Sequence, residues 1–386
     1  MDLLDCRVMP YAWGSRTAIA ELQGRKTPTG PEAEMWMGAH PVAPSRLTRG
    51  AETKTLAEIV EADPERELGA RVTAEFGARL PFLLKVLAAA EPLSLQAHPT
   101  AEQARAGFAD EERRGIPRDA PTRNYRDASH KPELVCPLTR FEALCGFRRV
   151  SETLALFDAL DVKALEGALA PLRKSPDAHG LAATFRLIMT TPPHARDALV
   201  SAVLEACARV GTKDAQVATR LGTLYPGDVG VVSALLLNHL VLEPGEAIYL
   251  GAGNLHAYLE GVAVEVMAAS DNVLRGGLTK KHVDVAELLA VLDFHDGPVE
   301  PLRARALDPF ESVYDTSARE FRLSRLQAPG ARLQVSGPEI LLCTEGSVKI
   351  DTLELARGQA AFVPASTRSY AIEGQGVLYR ATPNLV

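Results

Sequence analysis

The character of the chain changes once and then changes back. From Ser151 to Leu224 alanine and leucine dominate. Apolar residues there recur at helical spacing, at Leu154, Phe157 and Leu160, then at Ala182, Phe185, Ile188 and Met189. Before this stretch, and again after Gly230, short apolar runs alternate with glycine and proline breakers. A helical segment set between strand-and-turn segments predicts a mainly β protein with a helical insert. Pro192-Pro193 and Gly211 divide the insert, and Pro226-Gly227-Asp228 ends it. The chain has 386 residues, more than the roughly 200 typical of one domain. The expected organisation is a site-bearing β domain from residues 1–150 plus 226–300, a helical domain at 151–225 and a second β domain at 301–386.

Local signals fill in these domains. Glu32 to Pro41 alternates around Trp36 like a strand, and Leu80 to Ala90 is an apolar run broken by Lys85. Helices are predicted over Thr55–Asp63 and Pro64–Phe76. Another begins at Thr100, where Gln103 supplies a capping box, and runs to Glu111. Pro117 to Pro132 reads as a loop or lid. Leu235–Leu242, Ala247–Leu250 and Gly253–Met267 read as strands, and Lys281–Leu292 as a helix. Residues 302–386 are short strands with turns, which suits a sandwich or barrel. There is also an internal echo. Gly245 to Leu250, followed by Tyr258 to Gly261, recurs at an offset of 113 residues as Gly358 to Val363, followed by Ala371 to Gly374. In the second copy Ser369 stands where the first has His256, so that copy is expected to keep the framework and lack the chemistry.

Composition narrows the partners. Net charge is −7, with 46% hydrophobic and 24% charged residues, and nothing favours a nucleic-acid or bilayer partner. A small anionic substrate needs only a local basic patch. The five cysteines are widely spaced and form no CxxC, which fits a reducing, cytoplasmic setting. Met1 to Pro10 carries Asp2 and Asp5 and does not resemble a signal peptide. No run of about 18 uncharged apolar residues appears. No glycine-rich nucleotide loop precedes residue 300.

The chemistry gathers around Pro92 to Thr100. Gln96 and His98 are two apart, so on a strand both side chains point the same way. An amide oxygen and an imidazole nitrogen converging on one point make half a site for a borderline metal. Glu133 and His256, far along the chain, complete an N/O set without cysteine; spacing alone also permits four unrelated polar residues. A glutamine in place of a carboxylate would leave the ion more positive, which favours Lewis-acid work or anion attraction. Iron, manganese or cobalt would suit the same atoms. Other charges crowd the set: Lys85, Lys131, Glu265, Asp271, Arg275, Lys280 and Lys281. A lysine inside an apolar run is costly unless paired, so Lys85 is expected to line a pocket and meet an anion. Arg275 precedes two glycines that permit close backbone approach. Cations there suit a phosphate or an enediolate. Lys280 and Lys281 can equally be a solvated helix start. His40 can be a ligand or a pocket wall, and more simply a structural hydrogen bonder.

Several segments resemble the type I mannose-6-phosphate isomerases. They are Tyr11 to Ser15, Glu34 to Pro41, Leu80 to Lys85, Leu93 to Pro99, Asn124-Tyr125 to His130-Lys131-Pro132-Glu133, Gly253 to Tyr258, and Glu265 to Thr279. The last carries the family's most recognisable signature, although Lys280 stands where the family commonly has proline. The resemblance implies a cupin-type jelly-roll barrel, a helical domain and a second, degenerate cupin-like barrel. It implies one zinc ion per chain on Gln96, His98, Glu133 and His256. It implies catalytic roles for Arg275, Glu265, Lys131 and His130, and substrate contacts from Lys85, Ser94, Asp271 and Tyr258. The implied reaction interconverts mannose 6-phosphate and fructose 6-phosphate, feeding either glycolysis or GDP-mannose biosynthesis, in a protein expected to act as a monomer.

That reaction needs a base to move a proton between C2 and C1, and a group to stabilise the enediolate. Glu265 is the first choice for the shuttle, His130 the rival and Asp271 the third. Two alternatives stand beside it: a metal-dependent cupin enzyme acting on another phosphosugar, and a non-enzymatic sugar-phosphate binding protein. Residues 300–386 carry little of the resemblance.

Overall fold

A computed structural model describes residues 1–330 and 332–385. Two large β-sheets, two small two-stranded ones and a block of helices make up most of the described residues. The larger sheet has 11 strands and is organised on the long strand His256–Ala268. The second half of that strand pairs antiparallel with Phe82–Ala89 on one side and Glu133–Pro137 on the other. Its first half leaves these neighbours and pairs with Phe141–Phe147 and Gln96–Ala97. The register slips between Tyr258 and Glu260. Gly261 sits just beyond, at φ 124°, where a Cβ would stand 2.7 Å from the Arg140 carbonyl oxygen, so only glycine turns the strand here.

Alternation along these strands sorts the core from the site. On Phe82–Ala89 the side chains of Phe82, Leu84, Val86 and Ala88 enter one apolar core. Leu134 and Cys136, and Val264 and Val266, enter the same core. The intervening positions, Lys85, Glu133 and Glu265, therefore share the opposite face. The shared core also takes Tyr314, Leu323, Ile340, Leu342, Phe362 and Tyr379 from the smaller, 8-stranded sheet. The two sheets thus pack through one continuous apolar layer, whose burial is the dominant stabilising term.

The helical insert is present as expected: Val150–Leu160, Glu166–Lys174, Ala178–Met189, Pro193–Val210 and Lys213–Leu224. Gly211, at φ 66°, ends the fourth helix, and Thr212 caps the fifth. Their apolar faces join Leu95, Ala97, Leu255 and Leu274 in a second core, so the insert buttresses the strands that carry the site.

Several boundaries differ from the sequence expectation. Pro64–Phe76 is two helices, broken at Gly69, whose φ of 81° suits glycine. Where a return to strands and turns was expected after Gly230, Gly230–Ala234 is a short buried helix packed against the insert, and the strand expected from Leu235 begins at Leu237. The helix expected from Lys281 begins at Val285, where Asp284 caps it through the Glu287 N–H. Two strands also cross the expected domain limits. Asp2–Leu4 pairs with Ala360–Phe362 in the smaller sheet, and Leu302–Arg303 pairs with Glu246–Ala247 in the larger one. The capping box at Thr100 and Gln103 is formed.

Candidate metal centre and active site

His98, Glu133 and His256 come together in the interior, each buried, with one ligand atom from each lying within 4.8 Å of the others. Among the described residues this is the one such group that can hold a metal. His98 lies just past the end of the two-residue strand Gln96–Ala97. His256 opens the long strand directly opposite Gln96. Glu133 opens its own strand.

The ring nitrogens divide cleanly. His98 Nδ1 lies 2.8 Å from the Asn272 carbonyl oxygen, and His256 Nδ1 lies 3.0 Å from the Asn254 carbonyl oxygen. A carbonyl only accepts, so both Nδ1 atoms carry the proton and both Nε2 atoms present a lone pair. Both Nε2 atoms are buried and lack a hydrogen-bond partner. They face the two oxygens of Glu133 at 3.3 and 3.5 Å. A tetrahedral zinc with bonds of about 2.0–2.1 Å spaces its ligands by about 3.3–3.4 Å. Two orphaned lone pairs and a carboxylate at that spacing fit a divalent cation.

Charge around the cluster supports this. Burial pushes the His98 imidazole down to about 4, so it is neutral at neutral pH, as a ligand must be. Burial alone would raise the Glu133 carboxyl, but Lys131, 2.9 Å away, and His98 hold it well below its ordinary range.

A second layer of buried charge adjoins the first. Lys85 lies opposite Glu265 in the sheet, and its ammonium meets the Glu265 carboxylate at 2.9 Å and Glu34 at 3.6 Å. Burial works against the Lys85 charge, but Glu265 and Glu34 outweigh it and raise its pKa. Burial raises the Glu265 carboxyl; Lys85 opposes this and Glu133 adds to it. The Tyr258 hydroxyl donates to Glu265 at 2.9 Å and also lies 3.3 Å from Glu133. The slip in register beyond Tyr258 lets it share a face with Glu265. Tyr258 therefore links the carboxylate of the metal cluster to the carboxylate paired with Lys85.

The rim is basic. The Arg275 backbone is paired with Gln96. Its guanidinium is half-buried, and burial together with the charge of Arg126 lowers its pKa. Lys281 is lowered by desolvation and by Arg275 and Arg126. Lys280 and Lys281 line a cleft of about 720 Å³ that runs to Tyr225, Asp228 and Arg196 of the helical side and whose lining includes neither Arg275 nor the metal cluster. Neither lysine belongs to a helix.

Not every expected residue converges. The His130 Nε2 lies 2.6 Å from the Glu320 carboxylate of the smaller sheet's domain, in a cavity of about 220 Å³ whose lining includes none of the metal cluster. Asp271 is half-buried, and the His40 Nε2 lies 3.4 Å from it. His40 packs edge-on against Trp36 and its Nδ1 accepts the Val42 N–H at 3.3 Å, so it stands as a structural hydrogen bonder outside the metal cluster. Ser94 is half-buried on the segment leading to Gln96. The loop Pro117–Pro132 is anchored: Arg123 is buried against Glu111, and the Tyr125 hydroxyl donates to Glu287 at 2.5 Å. Three participants went unnoticed in the sequence. Glu34 accepts the Trp36 indole N–H at 2.7 Å and flanks Lys85. A charged residue inside the apolar run Glu34 to Met37 was the available signal. Arg126 and Asn272 carried none beyond their place in matched segments.

Comparison with known proteins adds the family. Residues 1–150 match the model for the phosphomannose isomerase type I catalytic domain. The chain is 39% identical over 391 residues to the mannose-6-phosphate isomerase of Escherichia coli (strain K12), covering 98% of this chain and 99% of that one. It belongs to the type I phosphomannose isomerases. A mutant phosphomannose isomerase from Salmonella typhimurium superposes with a TM-score of 0.94 at 38% identity, over 100% of both chains. A mannose 6-phosphate isomerase bound with zinc and yttrium superposes with a TM-score of 0.93 at 38% identity, again over 100% of both. The phosphomannose isomerase fold, mostly β with a helical block, therefore spans the entire chain.

Proposed function

We propose that this chain interconverts D-mannose 6-phosphate and D-fructose 6-phosphate, using one zinc ion per chain. The observation that carries this reading is the pair of orphaned, inward-facing imidazole nitrogens set against Glu133, in a chain 39% identical to a mannose-6-phosphate isomerase along its length. His98, Glu133 and His256 would hold the ion. Gln96, whose backbone is paired with His256, would supply the fourth ligand through its amide oxygen. When bound, the ion supplies Lewis acidity toward substrate oxygens. The larger sheet is read as a cupin-type barrel and the smaller as a degenerate second one. The five cysteines are free, which accords with a reducing, cytoplasmic setting; among the described residues no helix is long and apolar enough to cross a membrane.

The chain's own residues account for the rest. Arg275, Arg126 and Lys281 form the positive rim that receives the phosphate and balances developing negative charge. In the open-chain aldose Glu265 takes the C2 proton; the C2–H electron pair forms C1=C2 while the C1=O π pair moves onto O1 to give the enediolate, and the same carboxyl then returns the proton to C1 as the O2 proton passes to O1 and C2=O forms. Aldose and ketose are isomers, so no oxidant or reductant enters. A carboxyl raised by burial toward the working pH suits a shuttle, and Lys85 and Tyr258 hold it in place. Asp271 is less suited because it is tied to His40. His130 is turned toward Glu320 and is assigned a structural role.

The decisive experiment is a coupled assay for fructose 6-phosphate formed from mannose 6-phosphate, before and after chelation and with zinc restored. Activity lost to the chelator and regained at about one zinc per chain supports the proposal. A fully metallated protein without turnover would overturn it and redirect the search to other aldose phosphates.

A further inference from the structure

We infer that Asn272 is a positioning residue that couples the metal ligand His98 to the loop carrying Arg126. The inference rests on the metal site proposed above. Asn272 is fully buried and every polar group of its side chain is engaged. Its backbone carbonyl accepts from His98 Nδ1 at 2.8 Å. Its side-chain oxygen accepts the N–H of Arg126 at 2.7 Å and of Asp127 at 3.2 Å. Its amide nitrogen donates to the carbonyl oxygens of Asp127 at 2.7 Å and Ser129 at 2.8 Å. Asp127 closes the knot from the other side, accepting the Ser270 hydroxyl at 2.9 Å and the Asp271 N–H at 2.8 Å.

Two consequences follow from this arrangement. The carbonyl that fixes the His98 tautomer belongs to a residue held in place by its own side chain, so loosening the side chain loosens the acceptor. Four residues upstream of Glu133 the same amide grips Ser129, so both metal-binding segments are set from one point. Partners of this kind orient metal-binding histidines, and their loss typically weakens metal affinity about 10–100-fold.

The test is Asn272→Ala, with Tyr125→Phe as a control that frees the same loop at its Glu287 anchor, away from His98. Zinc affinity is measured by competition with a chromophoric chelator, and the His98 tautomer by nitrogen-15 spectra of the metal-free protein. The expected result is a zinc affinity about 10–100-fold weaker in Asn272→Ala, a mixed His98 tautomer, and neither change in Tyr125→Phe. Affinity within twofold of wild type, or an equal loss in Tyr125→Phe, would overturn the coupling. Should Asn272→Ala not fold, Asn272→Ser, which retains one acceptor for the loop N–H groups, is read by the same two measurements. If only the isomerase assay fails while zinc binds as proposed, the inference about Asn272 still stands or falls on affinity and tautomer.

Discussion

Lys85 and Glu265 stand opposite each other in adjacent antiparallel strands, and their charges close to 2.9 Å with both side chains almost wholly buried. Removing one partner of such a pair costs about 3–5 kcal/mol, because the other is left charged in an apolar setting. Lys85→Met is therefore expected to destabilise strongly and to cut turnover by at least about 100-fold, since it also frees the proposed shuttle. Adding Glu265→Gln to Lys85→Met should restore part of the lost stability. Denaturant melts of the two single variants and the double variant measure the coupling. Effects that add within about 0.5 kcal/mol would mean that the pair does not act as a unit.

Metal-free protein should lose stability on mild acidification. Folding lowers the His98 pKa from its ordinary 6.5 to about 4. Between those values the unfolded chain holds a proton that the folded chain refuses, so stability rises with pH across the window and levels off above it. The difference is worth about 3 kcal/mol at most. Glu133, held low in the fold, adds a further loss below its ordinary value of about 4.5. Thermal melts from pH 4 to 7.5 should show this slope, and His98→Gln should flatten its upper part. An unchanged slope in that variant would place its origin elsewhere. Bound zinc should move the slope to lower pH, because ion and proton compete for the same nitrogen.

The basic rim divides into affinity and rate. Lys281 is exposed and lines the cleft, so Lys281→Ala should raise KM for the phosphorylated substrate several-fold and leave kcat nearly unchanged. Arg275 is half-buried beside Gln96, so Arg275→Ala should lower kcat by about 100-fold or more, with little change in Tm. Steady-state kinetics with mannose 6-phosphate separate the two. Equal effects on KM alone would remove Arg275 from the chemistry.

Much of this was legible in the sequence, for physical reasons. The insert announced itself because apolar residues at Leu154, Phe157 and Leu160 leave one buried stripe. Gln96, His98, Glu133 and His256 could be proposed because their donor types suit a borderline metal and because they fall on the ligand positions that the family resemblance implies; spacing alone left four unrelated polar residues open. Lys85 could be placed in a pocket because an apolar strand cannot bury a lone ammonium; its partner Glu265 follows from sheet register, which no local pattern displays. His130 stands apart from the metal cluster, turned toward Glu320, 190 residues away, a tertiary contact that no local pattern displays. Lys280 and Lys281 looked like a helix start because the cap at Asp284 lies only a few residues on. Asn272 carried no signal, since its importance lies in a backbone carbonyl.

The internal echo also becomes concrete in the register, and yields a final prediction. Glu133 pairs with Leu250 in the larger sheet, and Glu339 pairs with Val363 in the smaller; Leu250 and Val363 are 113 positions apart. Glu265 lies opposite Val135, and Arg380 lies opposite Leu341, each two residues beyond its glutamate. A guanidinium thus occupies the second sheet where the first has Glu265, the proposed shuttle. Arg380 Nε donates to Glu339 at 2.9 Å and a second bond joins Arg380 Nη2 to the same carboxylate. The Tyr370 hydroxyl donates to it at 2.6 Å, as Tyr258 approaches Glu133. Glu339 is fully buried, and its partners are the Arg380 guanidinium and the Tyr370 hydroxyl, with no imidazole among them, where Glu133 faces two imidazoles beside Lys131. The second site should therefore bind no metal. Glu339→Gln should strand Arg380 and cost about 3–5 kcal/mol of stability, while zinc content and kcat stay at the wild-type level. Zinc analysis, melts and kinetics on the same preparation check all three. A fall in zinc content with Glu339→Gln would show that the second sheet carries a metal of its own.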